Sequence, residues 1–109
     1  MNAEQINLRT KVILSANRTL LAAVTPNLRG VTVDYNPEML LLRAYFDQGA
    51  SEEEKELIDI ALSEMIADLH YDIKTCQYEP VELAAPAKLT GLKDWVYMRY
   101  EQADESSIC

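Results

Sequence analysis

The run "VTVDYNPEMLLLRAYFDQ", residues 31 to 48, alternates side-chain character on both sides of Asn36-Pro37, and a β-hairpin is the backbone that carries such a pattern. Val31, Val33 and Tyr35 alternate with Thr32 and Asp34. Leu40, Leu42, Ala44 and Phe46 alternate with Leu41, Arg43, Tyr45 and Asp47. Two strands are expected, over about 29 to 35 and 39 to 47, turning at Asn36-Pro37. One face of the pair is apolar and cannot stay wet, so the rest of the chain must supply a cover for it.

Two helical segments provide that cover. From about Gln5 to Val24, Ile6, Ile13, Ala16, Leu20 and Val24 recur at helical spacing, with Val12, Leu14 and Leu21 widening the stripe until Thr25-Pro26 ends it. After Gly49-Ala50, Ser51 is placed as an N-cap, and Glu54 three residues on completes an S-x-x-E capping box. Leu57, Ile58, Ala61, Leu62, Met65 and Leu69 then form an apolar stripe as far as about Tyr71, while Glu52, Glu56, Asp59 and Ser63 lie away from it. "CQYEPVEL" reads as a third strand, confined to a sheet edge by Pro80. "AAPAKLTG" reads as a loop, and 94 to 101 as a last strand.

The order α-β-β-α-β-β predicts an α+β fold, with one antiparallel four-stranded sheet packed against two helices. Residues 1–109 are expected to form a single domain, frayed at 1–4 and 102–109. The last strand, "DWVYMRYE", has large side chains on both alternating sets: Trp95, Tyr97 and Arg99 against Val96, Met98 and Tyr100. If the mixed sets of both strands face outward, Arg43, Tyr45, Trp95, Tyr97 and Arg99 share one open surface of the kind enriched at protein interfaces. The competing reading puts Trp95 and Tyr97 in the core, and periodicity alone does not choose between the two parities.

Charge narrows the partner. The net charge of −8 argues against nucleic acid or an anionic membrane, which select clustered Lys and Arg. Residues 1 to 30 carry +3, whereas between Asp47 and Asp68 eight carboxylates face one lysine, Lys55. Cys76 and Cys109 lack metal-ligand spacing and read as free thiols in a reducing cytoplasm. The N-terminal residues lack the apolar run of a signal peptide, and no segment approaches a membrane span. His70, near the end of the acidic helix, reads as a favourable charge there. The three glycines are never clustered, so no phosphate-cradling loop is visible. These features call for no catalysis, metal or cofactor.

The hairpin with its "LRAYF", the helix "SEEEKELID" continuing to "EMIAD", and the closing "WVYMRYE" together resemble small bacterial immunity proteins encoded beside polymorphic toxins, including those of contact-dependent growth inhibition. The resemblance spans roughly residues 29 to 101. It implies a cytoplasmic, non-enzymatic protein that binds the C-terminal toxin domain of an effector, many of which are nucleases with basic clefts. For such a partner the charge of this chain itself points to acidic contacts from Asp34, Asp47, Glu52, Glu53, Glu56 and Asp59, with Arg43, Tyr45, Trp95, Tyr97 and Arg99 on the candidate anchoring surface. A monomer is expected. A second possibility of the same size and charge is an acidic secretion chaperone or adaptor, which would hold an effector segment as a dimer.

Overall fold

The computed structural model describes residues 2–101; the tail expected to fray at 102–109, and Cys109 with it, lies outside the described residues. The element order is α1 (Ala3–Leu20), β1 (Leu28–Tyr35), β2 (Met39–Phe46), α2 (Glu52–Leu69), β3 (Thr75–Glu82) and β4 (Asp94–Met98). α1 starts two residues before the expected Gln5 because Asn2 and Gln5 cap it reciprocally: the Asn2 side chain accepts from the Gln5 amide, and the Gln5 side chain accepts from the Asn2 amide. α2 begins where Ser51 placed it, with Ser51 Oγ accepting from the Glu54 N–H. The second half of that box is not made. The Glu54 carboxylate instead receives both hydrogen bonds from the Asn27 amide, tying the helix to the entrance of β1.

The sheet is mixed, which corrects the all-antiparallel expectation. Its strand order is β3-β2-β1-β4, with β1 antiparallel to both β2 and β4, and β3 parallel to β2 from Met39↔Thr75 to Phe46↔Glu82. The cause is α2 itself. A helix of this length between two paired strands is a crossover that returns the chain to the end where β2 began, and β3 therefore runs in the same direction. Pro80 lies on β3 at the sheet's outer edge, as its missing N–H requires.

One face of the sheet holds the core. Val31, Val33 and Tyr35 pair directly with Ala44, Leu42 and Leu40, and Phe46 continues the row. Val12, Ala16 and Leu20 of α1 and Ile58, Ala61, Leu62, Met65 and Leu69 of α2 pack down on them. The two helices are fastened side by side: Asp68 accepts from Ser15 and Arg18, and Asp72 from Lys11.

The other face is not open. Because β3 and β4 occupy opposite edges, residues 83–93 must cross the whole sheet, and they cross its outer face as a strap. Tyr45 Oη donates to the Thr90 carbonyl at 2.8 Å, Thr32 Oγ1 accepts from the Leu92 N–H at 2.8 Å, and the Ala85 N–H donates to Asp47. Arg29, only 2% exposed, donates to the carbonyls of Leu83 and Ala87 at 2.7 and 2.8 Å and to Glu101 at 2.6 and 2.8 Å.

Candidate functional site

The strap decides the fate of the aromatic surface. Tyr45 is 4% exposed beneath it, bonded to Thr90 and stacked at a tilt on Trp95 with ring centroids 6.2 Å apart. Arg43 lies over the Tyr45 ring and donates to Tyr45 Oη and to Glu79. The Trp95 indole fills space left by two glycines: a Cβ on Gly30 would stand 2.9 Å from its ring, and one on Gly91 2.5 Å from its Nε1. Gly30 in β1 and Gly91 in the strap thus close around the ring from both sides.

Tyr97 is elsewhere. A register shift in β4 leaves Trp95 opposite Thr32 but sets Tyr97 opposite Val31, so Val96 and Tyr97 pack toward the helix-side core. The expected single set of Trp95, Tyr97 and Arg99 is therefore split, because a bulge breaks strict alternation. Arg99 closes the end of the sheet, donating to the Pro26 carbonyl, Asp47 and Glu101. Of the five residues expected on one open surface, Tyr45 is buried, Tyr97 faces the helices, and Arg43, Trp95 and Arg99 are half-buried in contacts within the chain. What stays open near Trp95 is a shallow cleft of about 770 Å³ between the strap and β4, walled by Pro86, Leu89, Trp95, Met98 and Tyr100.

Trp95→Ala is therefore expected to act on stability. Losing the ring from between two glycines should lower the unfolding free energy by about 3 kcal/mol, measured by denaturant melts, while the folded fraction keeps its partner affinity. Unchanged melts with lost binding would return Trp95 to the role of a docking anchor.

The acidic residues separate by their partners. Eight of the ten cations in the chain sit in salt bridges among the described residues, and Lys93 lies over the Tyr35 ring. The basic N-terminal segment is consequently not a basic patch: Arg9, Lys11 and Arg18 are matched to Asp94, Asp72 and Asp68, and Arg29 is matched to Glu101. Asp47 belongs to this internal wiring too. Arg99, and then the N–H groups of Ala85 and Gln48, hold its carboxyl below the usual range. Eight described carboxylates have no salt bridge, namely Glu4, Asp34, Glu53, Glu54, Glu56, Asp59, Glu64 and Glu82, and five of those are on α2.

Glu52, Glu53, Glu56, Asp59 and Glu64 are all exposed, with Glu52 reaching Lys55 only at 3.7 Å. Ile60, 50% exposed, lies on the same side, one turn from Glu56 and one from Glu64. The sequence reading missed Ile60, which falls outside the buried stripe that its neighbours Ile58, Ala61 and Leu62 define. Asp34 is exposed on β1, away from this helix.

Chemistry of other kinds finds little to use. Burial raises the Cys76 thiol pKa, which suppresses its thiolate. The exposed His70 ring contacts the Ala67 carbonyl, and burial followed by Asp94 pushes the Tyr35 phenol up to about 12. Among the described residues no His, Cys, Asp or Glu side chains converge as a metal site, and no helix is long and apolar enough to cross a membrane.

A family model described as MafI2 immunity protein matches residues 9–101, from the second turn of α1 to the Glu101 carboxylate that holds Arg29. No curated protein matches the sequence.

Proposed function

Since the chain belongs to the MafI2 immunity protein family, and so is a bacterial immunity protein with a cognate toxin to neutralise, we propose that it does so by laying the acidic outer side of α2 on a basic surface of that toxin. The observation that carries this reading is the location of the unpaired charge: five of the eight described carboxylates without a salt bridge lie on α2, four of them solvent-exposed beside Ile60. A basic cleft of the kind that grips nucleic acid is the matching surface. The toxin is then a nuclease domain at the C-terminus of a polymorphic, contact-dependent effector, met in the cytoplasm of the cell being protected.

The division of labour follows from magnitudes. Exposed carboxylates in water contribute little each to the final affinity, but their summed field raises the encounter rate by one or more orders of magnitude at low salt. Residence time depends on apolar contact at the centre of the patch, where Ile60 sits. Covering a nuclease cleft excludes its substrate without any chemistry on the immunity protein's side.

The test is co-expression with the C-terminal domain encoded immediately upstream. A one-to-one complex that protects cells, and whose association slows as salt rises, is the expected outcome. Absence of both complex and protection removes the reading, and a tight complex with a salt-independent on-rate removes its electrostatic part.

A further inference from the structure

Lys93 is a cation held in place without a counter-ion. Of the ten Lys and Arg in the chain, only Lys88 and Lys93 have no salt bridge among the described residues, and Lys88 is on the exposed strap. Lys93 is fixed at two points: its Nζ donates to the Tyr35 carbonyl at 3.0 Å and stands 4.4 Å from the centre of the Tyr35 ring. An ammonium has three N–H donors, so two remain. The neighbouring Asp94 is already occupied, since Arg9 donates to both its oxygens and Tyr35 Oη donates to it at 2.5 Å.

Lys93 forms one wall of a hollow of about 410 Å³ between the first two turns of α1 and the tip of the β1-β2 hairpin, completed by Gln5, Leu8, Tyr35, Asn36 and Pro37. That is the size of a site for a small molecule. Its hydrogen-bonding capacity is one-sided. Gln5 Oε1 accepts from the Asn2 N–H, and Asn36 Oδ1 accepts from the N–H groups of Glu38 and Met39, so both side-chain oxygens are committed within the chain. The carbonyls of Tyr35 and Pro37 are taken by Lys93 and by the Lys74 N–H. An amide whose oxygen is fixed has its NH2 group fixed as well, and these two NH2 groups donate to no other described residue. What is left over is a set of donors and a positive charge beside the apolar surface of Leu8 and Pro37, and none of the lining residues carries a carboxylate.

We infer that this hollow binds a carboxylate borne on a small apolar body, the carboxylate meeting Lys93 and the Gln5 and Asn36 amides while the body lies on Leu8 and Pro37. An amine or metal cation finds neither a negative charge nor a free side-chain oxygen among the lining residues. An inorganic anion leaves the apolar surface uncovered. Glu4, which has no salt bridge, lines the next hollow past Leu8, so a second carboxylate reaching that far is repelled and a monoacid is preferred. A free organic acid and the C-terminal residue of a peptide both present this chemistry.

The test is titration of the full chain with 3-phenylpropionate and with its uncharged amide, following the side-chain NH2 resonances of Gln5 and Asn36 by NMR. No toxin is present, so the outcome is separate from that of the toxin-binding experiment. Saturable shifts of both NH2 groups by the acid and not by the amide are expected. Acetyl-Gly-Phe with a free or an amidated C-terminus distinguishes the source: tighter binding of the free-ended peptide than of 3-phenylpropionate assigns the site to a chain end, and the reverse assigns it to a free acid. Gln5→Glu and Asn36→Asp keep the capping oxygen and replace the NH2 donor by an anionic oxygen, so each, read on the remaining amide, should weaken binding by about tenfold or more with the melts unchanged. Lys93→Met should do the same, while Gln48→Glu, which adds the same charge at the other end of β2, leaves binding intact. The proposal is overturned if neither acid gives saturable shifts, if acid and amide shift the resonances alike, or if the three variants keep the wild-type dissociation constant.

Discussion

Replacing Arg29 by methionine should cost the fold about 3 kcal/mol, more than any other single charge removed from it. The side chain is 2% exposed and uses three of its nitrogens, on the Leu83 carbonyl, the Ala87 carbonyl and both oxygens of Glu101. Methionine fills most of the volume and returns none of the donors. Two carbonyls of the strap lose charge-assisted bonds, at a penalty of about one to a few kcal/mol each, and the Glu101 carboxylate keeps only Arg99 of its two counter-ions. Arg99→Met makes the useful contrast. Arg99 is more open, with 23% of its side chain exposed, and shares Glu101 and Asp47, so water replaces it in part at a cost of about 1 kcal/mol. Denaturant melts of the two variants should differ accordingly.

Acid titration adds a second reading on the same residue. Arg29 first, and then Arg99, hold the Glu101 carboxyl below its ordinary 4.5. A carboxylate whose folded pKa is depressed contributes fully above the unfolded value and loses that contribution as pH falls through the folded one. Stability of the wild type should therefore decline as pH drops below about 4.5, and the Arg29→Met variant should decline less steeply because Glu101 then titrates nearer its unfolded value. Equal slopes would mean that Glu101 takes no part in holding Arg29.

The elements were legible in the sequence because they rest on local chemistry. Alternation around Asn36-Pro37 located β1 and β2, and Ser51 located the start of α2 to the residue. Asn2 and Gln5 were an equally readable cap, overlooked because Asn-x-x-Gln is a quieter form of the box than Ser-x-x-Glu. The parallel β3 needed one tertiary fact as well, its pairing with β2, after which a helix the length of α2 between the two supplies the crossover that parallel neighbours require. The strap and the bulge were not available. The strap follows from β3 and β4 ending at opposite edges, a tertiary fact. The shift at Val96 reverses side-chain direction for everything after it, so Trp95 and Tyr97 part company although their spacing says they share a face. Glu52, Glu53, Glu56 and Asp59 are exposed because charges at the start of a helix need no long-range contact to stay so, whereas Asp47 is bound to Arg99. The aromatic residues do not share one open surface, because the strap covers Tyr45 and the bulge turns Tyr97 away.

Reversing three carboxylates on α2, with Glu56→Lys, Asp59→Lys and Glu64→Lys together, should slow association with the cognate toxin by about 10- to 100-fold at low salt and leave dissociation nearly unchanged. The three are exposed, lack salt bridges and lie beyond the first turn, so the helix cap and dipole are spared and the melting behaviour should stay close to wild type. The control is a second triple variant, with Glu4→Lys, Asp34→Lys and Glu82→Lys, which reverses three other unpaired carboxylates outside α2. Each reversal adds two charges, so both triple variants carry −2 where the wild type carries −8. Any difference between them is a matter of place alone. If the toxin reads the α2 face, the first variant loses most of the salt dependence of the on-rate and the second keeps it. Equal slowing in both would mean that net charge alone draws the toxin in and that α2 is no docking face. An unaffected on-rate in the first variant would move the contact to another part of the surface, of which the cleft beside Trp95 is the next to probe by substitution of Met98 and Tyr100.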